Sequence, residues 1–248
     1  MKWLAGFAIA VVVLIFVGSR REATLRVDCV DIPRGQCWIV YGTGGSVAVV
    51  NCGSERWSSA RSVADALRRS GANKIDAFFA TRFEPDAFAG LADLRDEFPI
   101  GGVFGPSSPG NEATSTAPGS KAILPDGTRL RLVGANGQIT AIVIDHKQIS
   151  LALVDRLDDR TVDQLGRLRP SVLILGYRAS HNGAELGALS PDVAVLHSGR
   201  SRREWADLGL VKNLEGVCGR VYQTGINGGV ILRSNGRRLE VRVTYGRE

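Results

Sequence analysis

Three side chains able to do chemistry stand close together after one apolar segment: Arg82, Glu84 and Asp86, in ATRFEPDAF. Two neighbouring carboxylates can divide acid and base roles between them. A guanidinium alongside favours a plainer outcome, ion pairing within a loop. The remaining inventory is narrow. The histidines are His146, His181 and His197, too few and too scattered for a His-rich dinuclear metal centre. His146 stands between two strand-like runs and reads as an exposed turn. His197 sits in the apolar run VAVLHSG and reads as a hydrogen-bonded core histidine. Ser180 precedes His181, but no G-x-S-x-G elbow accompanies them, which argues against a serine hydrolase. No G-x-x-x-x-G-K-[ST] or G-x-G-x-x-G loop is present, so no nucleotide cofactor is expected. Arg200, Arg202 and Arg203 form a basic turn ahead of a helical pattern, suited to a phosphate contact or simply to an exposed helix start.

The cysteines are Cys29, Cys37, Cys52 and Cys218, and none forms a C-x-x-C pair. Zinc ribbons and thioredoxin motifs are thereby excluded. Cys29 and Cys37 have seven residues between them and face each other across the first expected hairpin, where an oxidising compartment would allow a disulfide. Buried thiols are the default expectation for all four.

The elements that must position these groups follow from patterning. The chain has 248 residues, 44% of them hydrophobic and 23% charged, values that exclude wholesale disorder and collagen-like structure. A net charge of +6 permits contact with nucleic acid or anionic lipid without requiring it. Residues 3–18 read WLAGFAIAVVVLIFVG without a charge. At 1.5 Å per residue such a helix falls somewhat short of a bilayer core of about 30 Å, which Lys2 and Ser19 can extend. A signal peptide and a single-pass anchor both fit; Arg20 and Arg21, directly after any cleavage point, favour the anchor.

Beyond that run, short strands are expected at 25–31, 37–41 and 46–50, a helix at 58–70 and a buried strand at 74–81. A helix at 87–98, a strand at 100–105 and a loop at 107–120 follow. Strands at 128–134, 139–145 and 149–155, a helix at 159–168 and a strand at 171–177 come next. A strand at 192–198, a helix at 203–214 and strands at 219–224, 228–234 and 237–244 close the chain. Strand-rich blocks bracket strand–helix alternation twice, an order that suits two sheets packed face to face with helices outside.

Residues 25–53 read LRVDCVDIPRGQCWIVYGTGGSVAVVNCG. This resembles, without a gap, the opening of the metallo-β-lactamase-fold domain of ComEC-type DNA-uptake competence proteins, which begin like L-x-V-x-F-L-D-V-G-Q-G-D-A and end the block with a D-G-G turn. Asp31 and Gly35 are kept; Gln36 stands at the family's second Asp and Asn51-Cys52-Gly53 at its D-G-G. Residues 75–91 look like L-D-A-L-V-L-T-H-x-H-x-D-H-x-G-G-L, and 219–240 are similar to the family's last hairpins. The resemblance implies an α/β fold, an αββα sandwich of the metallo-β-lactamase type, preceded by one apolar N-terminal helix. The expected division is 1–21 as anchor or uncleaved signal helix and 24–246 as the sandwich domain.

The metal motif implied by that family is not kept. Arg82 and Glu84 stand at the first two His positions, Asp86 at the Asp and Ala87 at the last His. Asp155 corresponds to the family's G-D, and 176–180 (GYRAS) to its His-His-Gly-Ser turn. Arginine is permanently protonated and has no lone pair to offer. About 4 Å from a divalent ion it would be repelled by roughly 8 kcal/mol at an effective dielectric of 20. The expectation is that Arg82 fills the vacated pocket and pairs with Glu84, Asp86 or Asp31, that the site holds no metal or other cofactor, and that the domain is a pseudoenzyme. The function expected is a membrane-tethered binding or scaffolding module outside the cytoplasm, with DNA or a membrane protein as partner. The alternative is a metal-dependent phosphodiesterase or nuclease with a rearranged site from Asp31, Glu84, Asp86 and His181.

Overall fold

The computed structural model describes residues 23–54, 60–82, 84–106, 113–177, 179, 186–198 and 208–245. The apolar run at 3–18, Ser180, His181 and the basic turn at 200–203 lie outside the described residues. Among the described residues no helix is long and apolar enough to cross a membrane.

The strands are β1 (Leu25–Cys29), β2 (Gly35–Tyr41), β3 (Val47–Ser54), β4 (Ala77–Phe79), β5 (Val103–Gly105), β6 (Thr114–Ser115), β7 (Lys121–Ile123), β8 (Arg129–Ala135), β9 (Gln138–His146), β10 (Ile149–Val154), β11 (Val172–Leu175), β12 (Val193–Leu196), β13 (Arg220–Gln223), β14 (Val230–Ser234) and β15 (Leu239–Val243). The helices are α1 (Ala60–Ser70), α2 (Pro85–Phe88), α3 (Leu91–Glu97), α4 (Asp159–Leu168), α5 (Leu208–Val217) and α6 (Thr224–Asn227). One sheet runs β15-β14-β1-β2-β3-β4-β5-β6 and the other β13-β12-β11-β10-β9-β8-β7.

Strand alternation builds the layers. In β2, Trp38 and Val40 enter the core between the sheets, while Cys37 and Ile39 face the other way. In β10, Leu151 and Leu153 point to the same central core and Ala152 and Val154 to the far side. Both faces of each sheet are therefore buried, which is why these strands read as continuous apolar runs rather than alternating ones. The outer face of the first sheet is covered by α1, whose Ala60, Val63, Ala64 and Leu67 follow helical spacing. The outer face of the second is covered by α4 and α5 through Val162, Leu165, Leu210 and Leu214. Asp158 caps α4, accepting from Thr161 N at 2.7 Å. The result is the αββα sandwich expected from the pattern.

Some elements differ from expectation for local reasons. The helix expected at 87–98 is two helices, α2 and α3, with Gly90 at the break; the Gly90 amide donates to Cys52 O at 2.7 Å instead of continuing a helical ladder. The expected loop at 107–120 contains the short strand β6, and β7 follows it at the edge of the second sheet. His146 is no exposed turn. It ends β9 with 7% exposure, and its Nδ1 lies 3.2 Å from Ser234 Oγ on β14, joining the two sheets. Cys29 pairs in register with Trp38 and so shares the central core with it, whereas Cys37 points to the α1 side. A Cys29–Cys37 bridge, the alternative to the buried thiols expected by default, is ruled out because the two side chains lie on opposite faces of one sheet.

At the end of the sandwich away from β4's C-terminus, Asp126 ties the β2–β3 turn to the β7–β8 turn. It accepts from Gly44 N at 2.8 Å, Ser46 N at 3.3 Å and Thr128 N at 2.9 Å. Burial opposes its ionisation, but these hydrogen bonds outweigh that and hold its carboxyl below the ordinary value. A carboxyl depressed in the fold adds stability above its ordinary value of 3.8, and that stability is lost as pH falls through the folded value. Asp126→Ala is expected to lower the melting temperature at pH 7 by roughly 3–6 °C, with the gap to the parent protein closing toward pH 3. Melting curves at pH 7, 5 and 3 check this.

Candidate functional site: an arginine held between two sheets

β3 and β4 run parallel, as do β10, β11, β12 and β13, so their C-terminal ends gather at one rim of the sandwich. There β3 carries a bulge opposite Cys37: Gln36 pairs with Gly53 and Trp38 with Val50. Asn51, within the bulge, takes the left-handed conformation at φ 54°. Its Oδ1 accepts from Thr81 N at 2.9 Å and from Thr81 Oγ1 at 3.1 Å, fixing the chain as it leaves β4. Gly53 then lets α2 approach, since a Cβ there would lie 2.0 Å from Pro85 O. Proline at the first helical position starts α2 without forfeiting a hydrogen bond. These contacts set Arg82 and Asp86 four residues apart on one side of a short turn.

Arg82 fills the centre of the rim. Its Nη1 donates to Asp155 Oδ2 and its Nη2 to Asp86 Oδ2, while its Nε lies 3.4 Å from Glu84 Oε2. The Asp86 and Asp155 side chains are 2% and 4% exposed, Arg82 13% and Glu84 45%. Burial acts to lower the arginine's pKa, but the Asp155 charge and the hydrogen bonds to Asp155 and Asp86 override it, and the guanidinium is held above its ordinary value. The second oxygen of Asp155 accepts from Gln36 Nε2, and Gln36 Oε1 accepts from Tyr177 N at 3.0 Å. Gln36 is wholly buried, and Gly176 makes room for it: a Cβ at 176 would lie 1.9 Å from Gln36 Oε1. Arg82 and Gln36 belong to the first sheet and Asp155 and Tyr177 follow strands of the second, so the network spans the sandwich.

Of the residues singled out in the sequence, Arg82, Glu84, Asp86 and Asp155 thus converge. Ala87 is buried in α2 and contributes no polar atom. Asp31 lines a cleft of about 410 Å³ whose walls include Asp28, Asp65 and Arg69 and not Arg82 or Asp155. His197 is buried, with its ring edge-on to Trp38 at 5.6 Å, but neither ring nitrogen has a hydrogen-bond partner among the described residues. The hydrogen-bonded core histidine expected there is buried, with no hydrogen bond among the described residues. Burial pulls its pKa down to about 3. Gln36 had no expected role; a polar residue in an apolar strand, at the place of the family's second Asp, was its signal.

A metal centre needs lone pairs converging on one point. Here the buried carboxylates Asp86 and Asp155 are turned onto a guanidinium that has none, and among the described residues no three His, Cys, Asp or Glu side chains are placed to share one metal ion. The described residues of this rim do not by themselves fit the metal site that the resemblance implies; His181 lies outside them.

The architecture has solved counterparts. A metallo-β-lactamase-fold protein of Bacillus subtilis, YhfI, matches with a TM-score of 0.56 at 12% identity, over 80% of this chain and 96% of that one. The fold is that of the metallo-β-lactamases. A variant of the CmlA β-hydroxylase matches with a TM-score of 0.55 at 10% identity, over 85% of this chain and 54% of the other. Likeness at such identities concerns the fold alone. No protein-family model matches the chain, and neither does any curated protein.

Two outcomes follow. Removing one partner of a buried ion pair strands the other, so Arg82→Met is expected to cost about 3–5 kcal/mol in denaturant unfolding, and Asp155→Asn in the same chain is expected to recover part of that. His197 stays neutral in the fold to about pH 3 but protonates near its ordinary 6.5 when unfolded. The unfolded state then binds the extra proton below 6.5, and stability falls by up to about 1.4 kcal/mol per pH unit toward pH 3. His197→Phe is expected to flatten that slope in unfolding curves taken at pH 6.5, 5.5 and 4.5.

Proposed function

We propose that this protein is a non-catalytic relative of the ComEC-type competence domain: a metallo-β-lactamase sandwich in which an arginine takes the place of the metal, tethered to the membrane by residues 1–21 and acting as a binding or scaffolding module. The observation that carries this is the buried guanidinium of Arg82 between Asp86 and Asp155. Activated water in this fold family depends on metal held by imidazoles and carboxylates; here the carboxylates are engaged and the first imidazole positions are Arg82 and Glu84. Fold alone does not assign a function, so the proposal rests on these side chains and on the opening and closing segments of the sequence.

The rim also bears on the partner. Among the described residues three carboxylates surround one guanidinium there, and surplus negative charge disfavours a phosphate backbone. Contact with DNA falls instead to exposed basic positions such as Arg129, Arg237 and Arg238. A membrane-protein partner is the reading better suited to the rim.

Elemental analysis of protein purified after growth with added zinc and manganese, together with hydrolysis of a phosphodiester substrate and of plasmid DNA, tests the proposal. The expected result is metal far below one equivalent and hydrolysis at background. Stoichiometric metal with turnover would overturn it in favour of a rearranged hydrolase. DNA contact is checked separately by affinity across a salt series: binding through phosphates weakens steeply with salt, and a flat response removes DNA as a partner.

A further inference from the structure

Cys37 and Cys52 meet beneath the rim. Cys52 lies in the β3 bulge opposite Cys37, both have 0% exposure, and both face the core under α1 and α3. Both are buried thiols on the same face of the first sheet, on neighbouring strands at the bulge. The Cys52 side chain is aimed at the α2–α3 junction, where a Cβ on Gly90 would lie 2.4 Å from its Sγ. Cys29 is on the opposite face and Cys218 belongs to the second sheet's outer layer, so neither competes for this contact.

We propose that Cys37 and Cys52 are a disulfide site, closed when the chain folds in an oxidising compartment, and that the bond staples β2 to the bulge of β3 directly under the helix that carries Asp86. The chemistry needs a disulfide oxidant, for which glutathione disulfide suffices. The thiolate of one cysteine attacks glutathione disulfide and releases one glutathione thiolate. The thiolate of the other then attacks the mixed disulfide at the protein sulfur and releases the second. The protein loses two protons and two electrons and the oxidant gains them. Full burial sets the timing. Burial also raises the Cys37 thiol well above its usual range, so the folded pair is slow to react. Closure therefore belongs to the interval before α2 and α3 cover the pair. A bridge across this short loop removes freedom mainly from the unfolded chain.

The test uses the full chain. Reduced, denatured protein is refolded in a glutathione redox buffer, capped with a maleimide, digested without reduction and mapped by mass spectrometry. The expected product is 2 Da lighter, with Cys37 and Cys52 peptides joined and Cys29 and Cys218 capped. It is expected to melt about 6–10 °C above the reduced protein. Native reduced protein in the same buffer is expected to oxidise at least tenfold more slowly than refolding chains. A C29S/C218S double variant retains the pair and is expected to form the same link, which keeps the test valid whatever a Cys52 variant does to folding. Four capped thiols, a Cys29–Cys37 link, or a linked product melting below the reduced form would each overturn the proposal.

Discussion

A single guanidinium shared by two buried carboxylates decides the shape of this molecule's rim. Arg82 leaves the first sheet, Asp155 ends a strand of the second, and Asp86 belongs to the short helix between them. Charges so far from water are tolerated only when each finds its partner. The geometry that satisfies them also fixes the spacing of the two sheets, the start of α2 and, through Gln36, the turn after β11. The glycines at 53 and 176 are consequences of the same constraint, since each lies where a side chain would collide with a member of the network or its support.

Most of the fold was legible in the sequence because both sheets are buried on both faces. Runs such as SVAVV and VLIL need no partner information to read as strands, and α4 keeps the bounds expected of it. The failures share a cause: they depend on what approaches from elsewhere in the chain. His146 looked solvent-facing because its neighbours are polar, yet Ser234, from a strand near the other terminus, covers it. Cys29 and Cys37 looked adjacent because the hairpin is short, while strand alternation sends them to different layers. The break at Gly90 answers to a carbonyl on β3, which helical periodicity cannot anticipate.

The site was legible in part. Arg82 beside Glu84 and Asp86 announced an ion pair within one loop. Asp155 was marked as a site position, but its pairing with Arg82 was not foreseen, because 73 residues separate them. Asp31, placed in the site by its motif, lines the cleft beside Asp28, Asp65 and Arg69. Local charge patterns reveal which groups must be neutralised; only the packing of the two sheets reveals by whom.

The sandwich is laced at both ends, by Arg82 and Gln36 at the rim and by Asp126 at the opposite turns. Among the described residues, the two sheets are thus fastened to each other on both sides, like a clamshell tied at hinge and lip. The mouth therefore presents a preset contour rather than a closing jaw.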